Sequence, residues 1–337
     1  MQQIALVWLA FVFCLVVIGY AGVKLSKYGD VIADKTGLGG TWVGIVLLAT
    51  VTSLPELVTG ISSVLVVNVP DIAVGDVLGS CVFNLSIIVI LDFLHRGESV
   101  YTRAKQGHIL SAGFGIMLIG LLGFSILLAR NDTDFSLGHI GLYSYVIIIL
   151  YAIAMRTVFR YEVQQIEAFA EQEPDKHPEI SLQQSIYRYS GAALLVVVAG
   201  SFLPMVAKAI ALAMGWHQSF VGTLFVALVT SVPEAVVSIA ALRLGAIDMA
   251  IANLFGSNLF NVLIIAIDDL LYFPGPLLSY AVPMHAVSAM SAMMMTGVAI
   301  VGLLYRPKGR VFKTVGWASI FLFTVYLFNS YVLYLYS

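Results

Sequence analysis

Ten apolar stretches recur along the chain, and they limit its fold more than any other feature. Of the 337 residues, 60% are hydrophobic and only 11% are charged, whereas soluble proteins have about 25% charged residues. Each stretch can cross a hydrocarbon layer of about 30 Å, where backbone groups must be satisfied within a helix. We predict an all-α polytopic membrane protein with ten transmembrane helices at residues 3–23, 39–66, 70–94, 107–128, 138–156, 189–212, 218–243, 248–272, 282–304 and 313–335.

The basic residues predict the orientation of these helices. Lys and Arg accumulate in cytoplasmic loops. With the N-terminus outside, all of the 17 Lys and Arg except Arg130 and Lys208 fall at the inner ends of the spans. We therefore expect an integral multi-pass protein of the cell membrane with both termini outside. Gln2 and Gln3 stand where a secretory signal would carry basic residues, so we expect the first span to be retained.

Charge and cysteine content exclude several function classes. The net charge of -2 offers no cationic surface for nucleic acid. Cys14 and Cys81 both lie in apolar stretches, which excludes a disulfide framework and a thiolate metal site. The one sizeable hydrophilic segment, 158–188, is predicted to be a short cytoplasmic linker between five-span repeats at 1–157 and 189–337.

An internal repeat relates the two halves. Residues 41–56 match 219–234 without a gap, and 71–84 match 248–261 one residue out of step. The shared residues include Ser, Pro, Glu and Asn, which apolar composition alone would not reproduce. Five spans separate the copies, so the motifs at 41–84 and 219–261 cross the membrane in opposite directions. Inverted repeats that meet near mid-membrane are typical of alternating-access transporters.

The second and seventh spans each contain a proline that should break the helix. Pro55 and Pro233 remove a backbone donor, and Ser53 with Glu56 has the spacing of a capping box, as do their counterparts. The break should free carbonyls on the preceding residues, which is tolerated at this depth only beside a cavity. Hydroxyls, carbonyls and a carboxylate are thus expected to converge twice.

The third and eighth spans carry polar residues at intervals of four. Asp76, Ser80 and Asn84 share one helix face, and Asn253, Ser257 and Asn261 share the other. Together with two glutamates they form a set of hard oxygen ligands, which calcium and sodium prefer. Two carboxylates balance one divalent ion, or two sodium ions or protons, and leaving them unneutralised is costly. This charge balance predicts exchange.

These motifs resemble the two α-repeats of sodium/calcium exchangers, within the calcium:cation antiporter superfamily. They are Gly44 with Thr52-Ser53-Leu54-Pro55-Glu56, Gly79-Ser80 to Asn84, and their copies at Thr230-Ser231-Val232-Pro233-Glu234 and Gly256-Ser257-Asn258 to Asn261. The resemblance implies that Glu56 and Glu234 bind calcium with the carbonyls of Ala49 and Ala227. It also implies that Asn84 and Asn261 occupy the remaining central positions. The flanking sodium sites would be formed by Thr52, Ser53, Ser80, Thr230, Ser231 and Ser257.

Three positions depart from the family pattern. Asn261 replaces an Asp of many sodium-coupled members, Asp76 replaces an Asn, and Cys81 replaces another Asn. The missing charge at Asn261 leaves protons or another cation open as the coupling ion. Asp76 could act on the ion pathway or serve only as a structural partner.

Simpler interpretations stand beside these. The glutamates could only cap half-helices, and Asn84 and Asn261 could only join helices by hydrogen bonds. Asp92, Asp268 and Asp269 lie near predicted span ends and are expected to be solvated. A cation channel is the rival transport function. An enzyme is not expected because no nucleophile and base stand at a recognisable spacing, and no cofactor is expected. The transported ions and the lipid bilayer are the predicted partners.

Overall fold

A computed structural model of the chain describes residues 2–95, 98–129, 135–168, 178–214, 226–307, 309–311 and 314–336. Ten helical stretches in these ranges are long and apolar enough to cross a membrane, which confirms the predicted all-α architecture. Part of the second motif, residues 219–225, lies outside the described residues, as do Arg96, Arg130, Lys176, Lys308 and Lys313.

Eight of the spans are continuous helices. They comprise span 1 Gln2–Thr36, span 3 Pro70–Leu94, span 4 His108–Ala129, span 5 Leu142–Ala168, span 6 Leu182–Met214, span 8 Ile247–Leu271, span 9 His285–Tyr305 and span 10 Trp317–Tyr336. Span 1 ends 13 residues beyond the predicted 23 and therefore includes Lys24, Lys27 and Lys35. Both ends of the predicted linker are helical, up to Ala168 and again from Leu182.

Spans 2 and 7 are divided into shorter helices. Span 2 consists of Gly39–Val43, a π-helical turn Gly44–Leu48, Ala49–Thr52, Leu54–Ser62 and a second π-helical turn Ser63–Val67. The described part of span 7 consists of Val226–Thr230 and Val232–Arg243. Ser53 and Ser231 stand at the interruptions, directly before the helices in which Pro55 and Pro233 occupy the first turn. Proline is tolerated there because first-turn N–H groups have no helical acceptor.

Short elements join the spans. They are the helix Val100–Arg103, the antiparallel strands Ser136–Leu137 and Ile140–Gly141, and the 3-10 helix Leu277–Tyr280. Gly138 in the strand connection has φ +68°, a conformation that favours glycine.

Counterpart helices pack against each other across the molecule. Span 1 packs along span 6, span 3 along span 8, and span 4 along span 9. Spans 3 and 8 are mostly buried, whereas only 17% of the apolar stretch of span 1 is buried, as expected of a helix that faces lipid. The polar faces of spans 3 and 8 therefore lie at the centre, beside the divided spans 2 and 7.

Matching aspartates join equivalent pairs of spans in the two halves. Asp71 accepts hydrogen bonds from the Val282 N–H and pairs with His285, and Asp248 does the same with the Lys105 N–H and His108. Each of these pairs links the start of span 3 or 8 to the start of span 9 or 4. His285 is thus a partner of an aspartate.

The expectation that Asp92, Asp268 and Asp269 are solvated is wrong. All three are fully buried, and Asp268 lies against Gly60. Asp92 accepts bonds from the Ser99 and Ser319 hydroxyls and from the N–H groups of Val100 and Gly316. Asp269 accepts bonds from the Tyr143 and Ser144 hydroxyls and from the N–H groups of Gly141 and Leu277. The prediction used only the position of these residues near a span end. It missed that the neighbouring connections fold over the Asp92 and Asp269 carboxylates and donate hydrogen bonds to them.

Candidate cation site

The candidate ligands converge at the centre of the molecule. The side chains of Thr52, Ser53, Glu56, Asp76, Ser80, Asn84, Thr230, Ser231, Glu234, Ser257 and Asn261 are all fully buried, and so is Ala49, while Ala227 is 3% exposed. Burying this many polar groups is costly unless they are bonded to one another or to a ligand.

The two glutamates approach each other through serines of the opposite half. The Ser53 hydroxyl donates to Glu234 Oε1 at 2.8 Å, and the Ser231 hydroxyl donates to Glu56 Oε1 at 3.4 Å. Because each serine is three residues from the glutamate of its own half, these reciprocal bonds place both carboxylates in one region. Neither glutamate points into lipid.

These bonds correct the predicted capping boxes. Ser53 and Ser231 do occupy the N-cap positions, but neither side chain caps its own helix. The spacing Ser-x-x-Glu fits a local cap and an interhelical pair equally well. The carboxylate of the opposite half is a stronger acceptor, since hydrogen bonds to ionised groups are roughly twice as strong as neutral ones.

The carbonyls of Ala49 and Ala227 were predicted to lose their helical hydrogen bonds, but both keep them. Ala49 O accepts the Ser53 N–H at 3.0 Å, and Ala227 O accepts the Ser231 N–H at 3.3 Å. The missing proline N–H instead leaves the carbonyl four residues before it without its helical donor. A carbonyl oxygen has two lone pairs, so both alanine carbonyls still offer a ligand position.

A hydroxyl cluster forms around Thr230. Thr230 Oγ1 donates to Asp76 Oδ1 at 2.9 Å, lies 3.1 Å from Ala227 O and 3.4 Å from Ser80 Oγ. Ser80 Oγ is also 3.5 Å from Ala227 O. Asp76 is therefore part of this cluster and not an isolated charge on span 3.

A matching cluster forms around Thr52. Thr52 Oγ1 is 3.4 Å from Asn253 Oδ1, 3.5 Å from Ser257 Oγ and 3.3 Å from Ala49 O. Ser257 also donates to Glu234 Oε1 at 3.4 Å. The geometry repeats that of the first cluster, but an amide replaces the carboxylate.

The Asn258 amide, to which sequence reasoning gave no role, orients the centre of the site. Asn84 Nδ2 donates to Asn258 Oδ1 at 3.1 Å, and Asn258 Nδ2 donates to the Cys81 carbonyl at 3.2 Å. Asn258 occupies the position matched to Cys81, and its adjacency to Ser257 in the motif was the signal available. The Asn253 amide in turn donates to Ser238 Oγ at 3.0 Å.

Several oxygens have no hydrogen-bond partner in the described part of the chain. They are Glu56 Oε2, Glu234 Oε2, Asp76 Oδ2, Asn84 Oδ1 and Asn261 Oδ1, all fully buried. The Asn261 amide nitrogen also lacks one. Buried polar atoms are nearly always paired, so these orphaned oxygens fit a hard cation. No group of three or more His, Cys, Asp or Glu with metal-binding geometry occurs among the described residues, so hydroxyl, amide and carbonyl oxygens must complete any such site.

Residues 6–160 and 188–332 match the family model for the sodium/calcium exchanger protein. The chain belongs to the sodium/calcium exchanger family. Members of this family are transporters, and the duplicated match agrees with the two repeats. This chain is 24% identical over 266 residues to the inner membrane protein YrbG of Escherichia coli, and the alignment covers 77% of this chain and 78% of YrbG.

Two further similarities agree with this assignment. The chain is 24% identical over 232 residues to CaxA of Alkalimonas amylolytica, described as a candidate antiporter, which covers 69% of this chain and 70% of CaxA. Its fold matches the sodium-calcium exchanger NCX_Mj with a TM-score of 0.73 and 21% identity, covering 96% of this chain and 98% of that one.

Proposed function

We propose that this protein is a secondary antiporter that exchanges calcium for sodium or protons across the membrane by alternating access. The observation that carries the proposal is the pair of buried glutamates, one from each inverted half, held together by serines and each with an unpartnered oxygen. These two carboxylates carry the charge that one calcium ion balances.

Glu56 and Glu234 are proposed to bind calcium, with Asn84, Asn261 and the carbonyls of Ala49 and Ala227 completing the oxygen shell. Calcium takes about 6 to 8 oxygens, and the two glutamates can each supply one or two. The remaining ligands are neutral, so the glutamates set the charge that the ion must match.

The two hydroxyl clusters are proposed to hold the coupling cations. The first contains Ser80, Thr230 and Asp76, and the second contains Thr52 and Ser257. Ser53 and Ser231, the chain neighbours of Thr52 and Thr230, donate to the glutamates. Asp76 supplies a carboxylate to the first cluster, whereas Asn261 places a neutral amide in the centre. This relocation of a carboxylate keeps both sodium and protons open as coupling ions.

Exchange follows from the charge balance. An empty site would hold uncompensated carboxylates in a low-dielectric region, which is costly to move across the membrane. Reorientation is therefore favoured only with calcium or with its replacement ions bound. Spans 1 and 6 pack on the divided spans and are proposed to slide past the site as access changes from one side to the other.

Calcium uptake into proteoliposomes under separately imposed gradients tests this function. We expect uptake to require an opposing ion inside the vesicle and to saturate with calcium concentration. An internal sodium load and a pH gradient, applied one at a time, identify the coupling ion. Calcium flux that needs no opposing ion, or single-channel currents in a planar bilayer, would contradict antiport and indicate a channel.

A further inference from the structure

Asp268 and Asp269 are adjacent carboxyl groups of span 8 with opposite surroundings. Both side chains are fully buried. Asp269 accepts hydrogen bonds from two hydroxyls and two backbone N–H groups, whereas neither oxygen of Asp268 has a hydrogen-bond partner in the described part of the chain. Donors of this kind stabilise the ionised form of a carboxyl group. The structure therefore supplies what a negative charge needs at Asp269 but not at Asp268.

A positive partner for Asp268 is also missing from the described ranges. None of the Lys, Arg or His residues that form salt bridges between described residues pairs with it. Burying an isolated carboxylate is so costly that such a group usually takes up a proton instead, and ionised side chains are costly within a membrane in particular. Burial without donors or cations therefore favours the neutral acid at Asp268.

The Asp268 carboxyl group packs against Gly60, on the half-helix Leu54–Ser62. A Cβ placed on Gly60 would stand 2.3 Å from Asp268 Oδ2 and 2.9 Å from Oδ1. This contact is too close for a water molecule to lie between the carboxyl group and the helix. The same half-helix carries Glu56, one turn before Gly60. Asp268 thus touches the helix that presents a proposed calcium ligand.

The inverted repeat shows that the scaffold does not require an acid at this position. Leu91 of span 3 matches Asp268, and the residues that follow them, Asp92 and Asp269, match each other. Leu91 is fully buried in the apolar core. An uncharged side chain thus fits the equivalent place in the first repeat. The acid at position 268 is specific to the second repeat.

The titratable groups around Asp268 come from the elements packed against span 8. Asp76 of span 3 acts on it electrostatically, and Glu56 lies on the half-helix that it contacts. Tyr143 of span 5 donates to the neighbouring aspartate, and His139 contacts a backbone carbonyl of span 8 at 3.2 Å. Nearby acids disfavour a further negative charge. These neighbours therefore also favour a neutral Asp268.

We propose that Asp268 is a proton-binding site, separate from the glutamate pair, whose proton keeps span 8 packed on span 2. A proton from the aqueous phase forms an O–H bond with one carboxylate oxygen and gives the neutral acid that lies against Gly60. The reverse step returns the proton to water and leaves a carboxylate, which must move away from Gly60 to be solvated.

This movement links the proton to the calcium site. Gly60 and Glu56 share one half-helix, so a carboxylate that leaves Gly60 removes a contact that holds the helix of Glu56 in place. Ionisation of Asp268 is therefore expected to favour displacement of that helix. The link to calcium rests on the proposed function, whereas proton binding by Asp268 does not.

Infrared spectroscopy of the purified full-length protein tests the proton site without transport. In saturating calcium at neutral pH, we expect the unaltered protein to show the absorption band of a protonated carboxyl group, and Asp268→Asn to lose one such group per chain. Asp71→Asn is the control, because the Val282 N–H and His285 bond that carboxylate, and it should leave the protonated band in place.

A second variant guards against a change in folding. Asp268→Leu installs the residue of the matching position 91 and should lose the same band. A protonated band that survives unchanged in both Asp268→Asn and Asp268→Leu would overturn the site.

A substitution at Gly60 tests the contact while keeping Asp268. Gly60→Ala places a methyl group where the carboxyl oxygens lie, so the carboxyl group must move and the frequency of its protonated band should shift. Gly113→Ala should leave the band unchanged, since nothing lies within 4 Å of its Cβ. An identical band in the two variants would contradict packing of the protonated group on Gly60.

Exchange of external radioactive calcium for calcium inside proteoliposomes, at equal pH on both sides, tests the link to the calcium site. We expect the exchange rate to change several-fold over the pH range in which the Asp268 band titrates. This step in the pH profile should vanish in Asp268→Asn and persist in Asp71→Asn. A step that survives in Asp268→Asn would overturn the link.

The two measurements separate this site from the proposed function. If the band is lost in Asp268→Asn but the unaltered protein moves no calcium, antiport fails and the proton site stands. If calcium exchange is normal but the band survives in Asp268→Asn, the proton site fails and antiport stands.

Discussion

The repeat matches Asp76, Gly60 and Asp268 of one set of positions with Asn253, Ser238 and Leu91 of the other. In contrast, Asp71, Asp92, Asp248 and Asp269 bind similar partners in both halves. The aspartates that join helices are present at matching positions of both repeats, whereas the residues beside the ion site differ between the repeats. This difference indicates that the two halves share a scaffold but offer cations different charge on the two sides.

The symmetric aspartates should have the largest effect on stability, and it should be large in both halves. Asp92→Ala and Asp269→Ala each leave four buried donors without an acceptor. Each should lower the free energy of unfolding by at least about 3 kcal/mol, because one buried donor left without an acceptor costs about 1 to 3 kcal/mol. Thermal unfolding in detergent measures this, with the exposed Glu179→Ala as control. A strong loss in one half and none in the other would contradict shared fastening.

Exchanging the residues that differ should sharpen the contrast between the hydroxyl clusters. Asp76→Asn copies Asn253 and should raise the sodium or proton concentration needed for half-maximal calcium release about tenfold, since hydrogen bonds to charged groups contribute about 1.5 to 3 kcal/mol. Asn253→Asp should shift that concentration the opposite way. The dependence of calcium release on the coupling ion measures both. If neither variant shifts it, the charge difference has no role in coupling.

Close packing of span 6 on the prolines should have a smaller effect, on rate. A Cβ on Gly200 would lie 2.5 Å from Pro55 Cγ and 3.6 Å from Pro233 Cγ, so the glycine contacts both divided spans. Gly200→Ala should slow saturated exchange several-fold, because overpacking costs about 1 to 3 kcal/mol. Gly191→Ala on the same helix is the control, since nothing lies within 4 Å of its Cβ. Equal turnover in the two variants would exclude span 6 movement past the prolines.

Much of the fold followed from the sequence because lipid permits few alternatives. Apolar length predicted the ten spans, and the repeated Ser, Pro, Glu and Asn residues predicted the inverted halves. The end of span 1 was missed because Lys24 and Lys27 interrupt its hydrophobicity while the helix continues beyond the apolar layer to Thr36.

The site was predictable in its residues and less so in its contacts. Spacing on one helix shows which residues share a face, but it does not show that Ser53 meets Glu234 or that Thr230 meets Asp76. The burial of Asp268 was missed because its carboxylate packs against Gly60, 208 positions earlier in the chain, where no side chain is present. Such contacts between distant residues require three-dimensional packing.

Calcium uptake by Glu56→Gln and Glu234→Gln in proteoliposomes tests the central claim most directly. Each variant keeps the shape of the side chain but removes one of the two charges that the ion must balance. We expect uptake to fall at least about 100-fold in both, consistent with the roughly 3 to 5 kcal/mol attached to breaking a buried charge pair, while Glu179→Gln transports normally. Undiminished uptake by either glutamate variant, at equal amounts of folded protein, would contradict the account.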